Sequence, residues 1–248
     1  MNCVDLFAGA GGFSLAAIQA GMKVKVAIEK DRHACLTYRN NLINNGFPHL
    51  YEEDIKENWL LNNVAAHFKG SDTCDLLLGG PPCQGFSILR ANKKEESDER
   101  NYLVLRYFDF VRKLRPKVFL MENVPGILWK KHKDFLAIFY KESEKSGYNV
   151  AEPVILDARD YGVPQRRRRV FILGVRKNVK HSINWPPFQT HGSPEMCHKY
   201  KSLKPWKTAA EVFDKKQRSD DPNNLHMNHT KELISVFKST PLNGGSRK

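Results

Sequence analysis

The chain has 248 residues, a formal net charge of +13, 41% hydrophobic residues and 27% charged residues. This composition is ordinary for a globular domain, and the sequence contains no apolar run near the ~20 residues that a membrane-spanning helix needs. Length and composition therefore argue against a membrane role and leave room for an enzyme with a sizeable core.

The charge is distributed unevenly along the chain. Residues 1–156 contain 21 basic and 19 acidic residues, whereas residues 157–248 contain 19 basic and 8 acidic residues. A basic region of this kind is typical of proteins that bind a polyanion. We therefore expect a nucleic acid to contact the C-terminal third first.

Short apolar runs alternate with amphipathic ones in the first 176 residues. This alternation predicts a doubly wound, mostly parallel α/β sheet, in which ligands bind at the carboxyl ends of the strands. The predicted strands span residues 2–7, 23–28, 75–78, 117–121, 150–156 and 170–175. The predicted helices span residues 13–20, 32–44, 56–68, 102–114, 133–146 and 231–238.

The N-terminus and the cysteines point to the cell interior. The first residues, MNCVD, contain no basic segment followed by a long apolar one, so no signal peptide is predicted. Five scattered cysteines without a C-x-x-C pair argue against a disulfide framework. We expect reduced thiols and a cytoplasmic, bacterial-type protein. The histidines of the C-terminal third match no usual zinc spacing, and no metal site is predicted.

A glycine-rich turn follows the first predicted strand in VDLFAGAGGFS. The turn lacks the full G-x-G-x-x-G spacing, which disfavours a dinucleotide. Glu29, at the end of the second strand, is suited to accept hydrogen bonds from a ribose diol, so a nucleoside without a diphosphate, such as S-adenosylmethionine, fits better. Asp54 can accept a hydrogen bond from the adenine amine, and Phe7 can pack on the adenine or near the sulfonium. A core role for Phe7 and solvated surface roles for the two carboxylates remain open.

Four motifs, DLFAGAGGFS, GGPPCQGFS, MENV and PQRRRRVFILG, occur in this order and resemble the C5-cytosine methyltransferase family. The resemblance covers residues 2 to about 176. It implies the methyltransferase form of the Rossmann-like fold and S-adenosylmethionine as cofactor, with S-adenosylhomocysteine as product. The cofactor-binding residues that it implies are Asp5, Phe7, Ala8, Gly9, Gly11, Gly12, Glu29, Asp54, Pro81 and Leu103.

The resemblance assigns the reaction to Cys83 and Glu122. A thiolate is both a strong nucleophile and a workable leaving group, which suits its addition to C6 of a cytosine ring. Glu122 matches the position of the acid that stabilises the charge developing on N3, and burial at a strand end can raise its pKa enough to hold a proton. The target base must leave the duplex, and the polar segment 90–100 is expected to close over it.

The arginine run leads into the last predicted strand. Side chains on a strand alternate between faces, so Gln165, Arg167 and Arg169 are expected to share one face. This matches a Q-x-R-x-R pattern of the family, in which the arginines contact the target base and hold the catalytic loop. The nucleic-acid contacts that the resemblance implies are Gln84, Ser87, Gln165, Arg166 and Arg168, and the two arginines among them are suited to structure or to DNA phosphate.

The organisation predicted from the sequence is a catalytic and cofactor-binding domain over 1–176, followed by a basic connector over 177–248. Family members continue into a target-recognition region, which we do not find in this sequence. We therefore expect either a fragment of a longer enzyme or one subunit whose recognition region is supplied by a second polypeptide. DNA is the expected partner, with no membrane involved.

Three functions remain open at the level of the sequence. The motifs favour DNA (cytosine-5-)-methyltransferase activity of the restriction-modification kind. Methylation of cytosine in transfer RNA is an alternative, because a branch of the family does this. The third is a cofactor-binding subunit that has lost catalysis, against which the intact catalytic positions argue.

Overall fold

The structure is a computed structural model that describes residues 1–43, 48–70, 72–82, 97–213 and 228–239. The chain divides into two compact units, Met1–Trp206 and Lys207–Lys248. The predicted functional boundary at residue 176 thus lies within the first unit. Its functional meaning stays a prediction.

Eight strands of the described residues form the main sheet: β1 (Asn2–Leu6), β2 (Lys23–Ile28), β3 (His49–Tyr51), β4 (Leu76–Gly79), β5 (Val118–Asn123), β6 (Tyr148–Val150), β7 (Val154–Asp157) and β8 (Arg168–Arg176). Their order in the sheet is β3-β2-β1-β4-β5-β8-β6, with β7 also paired to β8. Neighbours among the first five strands of this order are parallel, while β8 is antiparallel to β5, β6 and β7. The predicted mostly parallel α/β sheet is confirmed.

Helices connect the parallel strands, as the alternating apolar pattern predicts. They are α1 (Gly12–Gln19), α2 (Arg32–Leu42), α3 (Asn58–Ala66), α4 (Ser97–Leu114) and α5 (Lys133–Lys145). The first unit also contains a 3-10 turn at Ala158–Tyr161, the short strands β9 (His191–Gly192) and β10 (Lys204–Pro205), and α6 (Pro194–Lys199) between them. The described part of the second unit contains α7 (Ala210–Phe213) and α8 (Lys231–Lys238).

One predicted strand was wrong. Residues 150–156 form the ends of two strands, β6 and β7, both of which pair with β8. Ala151–Pro153 separates them, and Pro153 has no backbone N–H for a ladder. Both strands pair with β8 in the same antiparallel direction, and the register shifts by one residue between the pairs Val150–Gly174 and Val154–Phe171. The predicted strand is therefore interrupted by a bulge.

An aromatic cluster packs α4 and α5 against the sheet. Phe108 of α4 and Phe139 of α5 lie 5.1 Å apart, and Phe119 of β5 lies 5.2 Å from Tyr148. These distances join ring centroids; the first pair is edge-to-face and the second is tilted, and aromatic contacts of this kind add to the burial of apolar area. The cluster holds β5 in place, and the carboxyl end of β5 carries Glu122.

Candidate active site

The carboxyl ends of β1, β2, β4 and β5 meet at one edge of the sheet, and two cavities open there. The first cavity has a volume of ≈390 Å³ and the second ≈600 Å³. Phe7 and Gly80 line both of them, so the cavities adjoin at these two residues. Both volumes lie in the range of small-molecule sites, ~300–1,000 Å³.

The loop between β1 and α1 forms the floor between the cavities. Its backbone turns tightly, with φ of 58° at Phe7, 55° at Gly9 and 96° at Gly11. The Ala8 N–H bonds the Ile28 carbonyl at 3.0 Å, which holds the loop against the end of β2. Ala8 and Gly12 line the second cavity, while Phe7 packs against the core and faces both cavities.

Glu29 binds three backbone N–H groups with its carboxylate. Oε2 accepts from Gly9 at 2.8 Å, and Oε1 accepts from Lys30 at 2.9 Å and from Asp31 at 2.8 Å. A carboxylate has about four lone-pair sites, so acceptor capacity remains for a ligand hydroxyl. Glu29 lines the first cavity, where a ribose would need such an acceptor.

Asp54 also lines the first cavity. Its Oδ1 accepts from the Lys56 N–H at 3.0 Å, and its Oδ2 pairs with the Lys30 ammonium at 3.0 Å. Partial burial opposes ionisation of Asp54, but the Lys56 N–H and the Lys30 charge outweigh it and lower the pKa. An ionised carboxylate is an acceptor, which suits an exocyclic amine such as that of adenine.

Asp5 lies beneath the loop and not in either cavity lining. Its Oδ2 accepts from the Ser14 hydroxyl at 2.6 Å, and that hydroxyl accepts from Tyr38 at 2.8 Å. Complete burial raises the pKa of Asp5 to about 7, despite the Ser14 hydrogen bonds. Gly9 and Gly11 are likewise absent from the described linings, and both shape the loop. The cofactor role of Asp5, Gly9 and Gly11 stays a prediction, and it would act through the shape of the loop.

Glu122 projects from the end of β5 into the second cavity. Its Oε1 pairs with Arg169 Nε at 2.9 Å. Burial raises the pKa of Glu122, although the charges of Arg169 and Arg167 and the hydrogen bond from Arg169 act in the opposite direction. The group therefore combines a tendency to hold a proton with a fixed orientation.

The arginine run divides between the cavity and the surface. Arg167 and Arg169 both line the second cavity. Gln165 lies in a turn before β8, with its N–H bonded to the Val163 carbonyl at 2.8 Å, so the alternation of a strand does not extend back to it. Gln165, Arg166 and Arg168 are exposed and are outside the described cavity linings, whereas Arg167 is exposed and also lines the second cavity.

The segment that leads to Cys83 is anchored by Asn123. The Asn123 amide donates to the Pro81 carbonyl at 3.2 Å, and its Oδ1 accepts from the Val124 N–H at 2.9 Å. Pro81 is buried, and Pro82 lines the first cavity. Cys83, Gln84 and Ser87 lie outside the described residues, so their assigned roles stay predictions.

Several residues of the cavities have no signal in the sequence motifs. Leu103 was expected in the first cavity and lies there, but Lys30, Ile55 and Lys56 were not expected. In the second cavity Tyr161 and Pro187 were missed. Tyr161 precedes the arginine run in DARDYGVPQ, which is a weak signal, whereas Pro187 joins the site only through tertiary contacts.

The described ranges contain neither a candidate metal site nor a candidate membrane-spanning helix. No group of three or more His, Cys, Asp or Glu side chains there is placed to hold a metal ion. None of the helices in the described part of the chain has the length and apolar character that a membrane crossing needs.

The fold and the two adjoining cavities define an α/β protein of the S-adenosylmethionine-dependent methyltransferase class. Residues 1–243 match the family model described as C-5 cytosine-specific DNA methylase. The chain belongs to this family.

Relatives of known name support this assignment. The chain is 41% identical over 192 residues to the Type II methyltransferase M.DdeI of Desulfomicrobium norvegicum, a match that covers 75% of this chain and 44% of M.DdeI. It is 34% identical over 247 residues to the Type II methyltransferase M.AquIA of Picosynechococcus sp., covering 95% of this chain and 97% of that protein. The chain thus spans less than half of M.DdeI and nearly all of M.AquIA.

Solved structures show the same fold. A prophage-encoded protein from E. coli, described as a DNA modification methyltransferase, superposes with a TM-score of 0.61 at 37% identity, covering 74% of this chain and 49% of that protein. The Dnmt2 methyltransferase of S. pombe gives a TM-score of 0.54 at 21% identity, covering 73% and 51% of the two chains. The second comparison shows the fold alone.

Proposed function

We propose that this chain transfers a methyl group from S-adenosylmethionine to C5 of a cytosine in DNA, as a DNA (cytosine-5-)-methyltransferase of the restriction-modification kind. The observation that carries the proposal is the pairing of the two cavities. Glu122, Arg167 and Arg169 line the second cavity, which adjoins the first at Phe7 and Gly80. A base in one cavity and a methyl donor in the other would meet at this boundary.

The first cavity is suited to hold S-adenosylmethionine. Glu29 has acceptor capacity left for a ribose hydroxyl, Asp54 is an ionised acceptor for an amine, and Phe7 and Leu103 supply apolar walls. When bound, this cofactor supplies an activated methyl group on a sulfonium. Asp5 and the loop glycines support the cavity from below.

Cys83 is the proposed nucleophile. Its thiolate would add to C6 of the cytosine, forming an S–C6 bond and making C5 electron-rich enough to accept the methyl group. Loss of the C5 proton would then break the S–C6 bond and release the thiolate. The rigid entry through Pro81 and Pro82, with Pro81 held by Asn123, is suited to hold the sulfur in place.

Glu122 is the proposed acid that binds N3 of the base. Addition to C6 places negative charge on N3, and a carboxyl group that retains its proton can donate to it. The raised pKa of Glu122 supports this role, since burial favours its neutral form. Arg169 Nε lies 2.9 Å from Glu122 Oε1 and orients the carboxyl group. Arg167 also lines the second cavity and is a proposed contact to the base.

DNA is the proposed partner, and the target cytosine would be flipped out of the duplex to enter the second cavity. The exposed Gln165, Arg166 and Arg168, together with Gln84 and Ser87, are the proposed contacts to the strand. A second polypeptide that supplies the recognition region stays a prediction. Purification of the native chain under mild conditions, followed by mass analysis of the complex, tests for it.

The proposal is tested by trapping on DNA that contains 5-fluoro-2′-deoxycytidine, in which C5 carries fluorine in place of the proton that must leave. Incubation with S-adenosylmethionine should give a protein–DNA adduct at Cys83, identified by mass spectrometry of the digested complex. Cys83→Ala should give no adduct, and Cys197→Ala, which changes a cysteine outside both cavities, should give the wild-type yield. Methyl transfer to unmodified DNA without an adduct would contradict the covalent mechanism.

The alternatives predict other outcomes of a companion assay with radiolabelled S-adenosylmethionine. Label in transfer RNA but not in DNA would favour the RNA substrate, which the match to a DNA methylase family does not favour. A catalytically silent subunit would bind the cofactor but transfer no label, and Cys83→Ala would leave the activity of its complex unchanged.

A further inference from the structure

Arg106 is a buried arginine on α4, and only 5% of its surface is exposed. Its Nε donates to the Ile55 carbonyl at 2.7 Å, and its Nη2 donates to the Glu57 carbonyl at 2.7 Å. Its Nη1 reaches Asp109 at 3.3 Å, and the guanidinium lies 5.3 Å from the centre of the Phe110 ring. Burying a charge is costly unless its donors are satisfied, so these bonds fix the geometry strongly.

The two carbonyls belong to the turn that follows β3. The Glu57 N–H bonds the Asp54 carbonyl at 3.0 Å, and the Lys56 N–H bonds the Asp54 carboxylate at 3.0 Å. Asp54, Ile55 and Lys56 all line the first cavity. Arg106 therefore holds the turn on both sides of Lys56, without lining the cavity itself.

The same helix supplies another part of the cavity wall. Leu103 lies three residues before Arg106, which places the two on neighbouring positions of one helical face. Leu103 lines the first cavity. A movement of α4 relative to the turn would therefore change the distance between Leu103 and Asp54, which both line the first cavity.

We propose that Arg106 is a positioning residue for the cofactor, which locks the turn 54–57 to α4 and so sets the shape of the first cavity. This inference rests on the proposed function, because it takes the first cavity as the S-adenosylmethionine site. Arg106 acts on the ligand through Asp54 and Leu103. The guanidinium fork can hold both carbonyls at once, which a single ammonium group cannot do in the same geometry.

The test measures the Kd of the whole chain for S-adenosylmethionine and for S-adenosylhomocysteine by titration calorimetry, without DNA. Arg106→Lys should weaken both by about tenfold or more, since charge-assisted hydrogen bonds that shape the cavity are lost. Arg106→Gln, which keeps one donor group, provides a second variant should the lysine variant fold poorly. The unfolding midpoint in urea is measured for every variant.

Arg112 offers a matched control on the same helix. It pairs with Glu142 of α5 at 2.8 Å and, at 2.7 Å, with Asp109, which also pairs with Arg106. Arg112 is outside the described linings of both cavities, and both of its partners lie outside the turn 54–57. Arg112→Lys and Arg112→Gln should lower the unfolding midpoint slightly, because a partly exposed ion pair contributes little to stability. The Kd of these variants for both ligands should stay within about twofold of the wild-type value.

Two results would overturn the inference. One is an Arg106 variant that is folded and binds both ligands as the wild type does. The other is a Kd that rises equally in Arg106 and Arg112 variants of equal stability, because affinity would then follow global stability alone. If the folded wild type binds neither ligand, the assignment of the first cavity as the S-adenosylmethionine site is wrong. That result concerns the proposed function, whereas the two results above concern only the role of Arg106.

Discussion

Glu122 is subject to two opposing influences in the second cavity. Burial raises its pKa, and the neighbouring Arg169 and Arg167 act to lower it. The raised pKa shows that burial outweighs both arginines. A carboxyl group in this balance responds to the loss of either partner, which makes Glu122 a direct probe of the proposed chemistry.

We expect the carboxyl carbon of Glu122, followed by NMR in the chain without DNA, to titrate above the ordinary glutamate range. Arg169→Met should raise the pKa further, because the variant removes a nearby positive charge and a hydrogen bond to the ionised form. A reaction that needs protonated Glu122 proceeds fully below this pKa and declines as the pH rises through it. The decline should therefore occur above the ordinary glutamate range in the wild type.

Arg166→Met is the control for this titration. Arg166 is exposed and lies outside the described lining of the second cavity, so its loss removes the same formal charge at a screened position. The pKa of Glu122 should stay near the wild-type value. An equal shift in both variants would mean that net charge, and not the contact at Arg169, controls the group.

The loop between β1 and α1 depends on its contact with α2. A Cβ at Gly11, where φ is +96°, would lie 2.2 Å from Leu42 Cδ1 and 2.9 Å from Tyr38 Cδ2. Gly9 has a φ of +55°, but a Cβ there would meet nothing within 4 Å. An alanine at Gly9 therefore measures the cost of a left-handed backbone alone. An alanine at Gly11 measures that cost together with the cost of a close contact with Leu42 and Tyr38.

We expect Gly11→Ala to lower the free energy of unfolding by about 2–5 kcal/mol, from backbone strain together with overpacking against α2. Gly9→Ala should cost only about 1–2 kcal/mol, because it carries the strain alone. Urea denaturation of the two variants and the wild type measures both values. Equal losses in the two variants would contradict the close packing of Gly11 against Tyr38 and Leu42.

At the scale of the whole molecule, residues beyond 176 complete the wall of the second cavity. The Trp206 indole donates to the Asp160 carboxylate at 2.8 Å and lies under the Arg159 guanidinium at 4.0 Å. The Tyr161 hydroxyl donates to the Pro187 carbonyl at 2.9 Å. These contacts hold the 3-10 turn at Ala158–Tyr161, whose first and last residues line the cavity.

A fragment of residues 1–206 should therefore retain this wall, and a fragment of residues 1–176 should not. We expect hydrogen exchange at the amides of Gly162, Val163 and Arg167, which donate hydrogen bonds to the turn and its N-cap, to be slow in the longer fragment and faster in the shorter one. The shorter fragment lacks the partners of the turn. Equal protection and equal unfolding midpoints in the two fragments would show that 1–176 is a sufficient folding unit.

How much could be predicted from the sequence differs between elements. Strands β1, β2, β4, β5 and β8 were predicted because each is an apolar run bounded by polar turns, and the order of strands and helices was enough for the fold class. The strand predicted over 150–156 is interrupted in the structure, because hydrophobicity alone does not reveal where a bulge breaks the pairing with β8. Glu122 was found because it directly follows the strand predicted over 117–121, and the structure places it near the end of β5.

Local patterns and motifs were sufficient to predict the fold class, the family and the residue types that can perform the chemistry, because neighbours along the chain act together in them. Three features emerge only in the folded chain: Asp5 lies beneath the loop, Arg106 holds the turn 54–57, and Pro187 joins the second cavity. These contacts join residues far apart in the chain. Their partners are selected by packing and by the need to satisfy buried polar groups, which a local pattern does not encode.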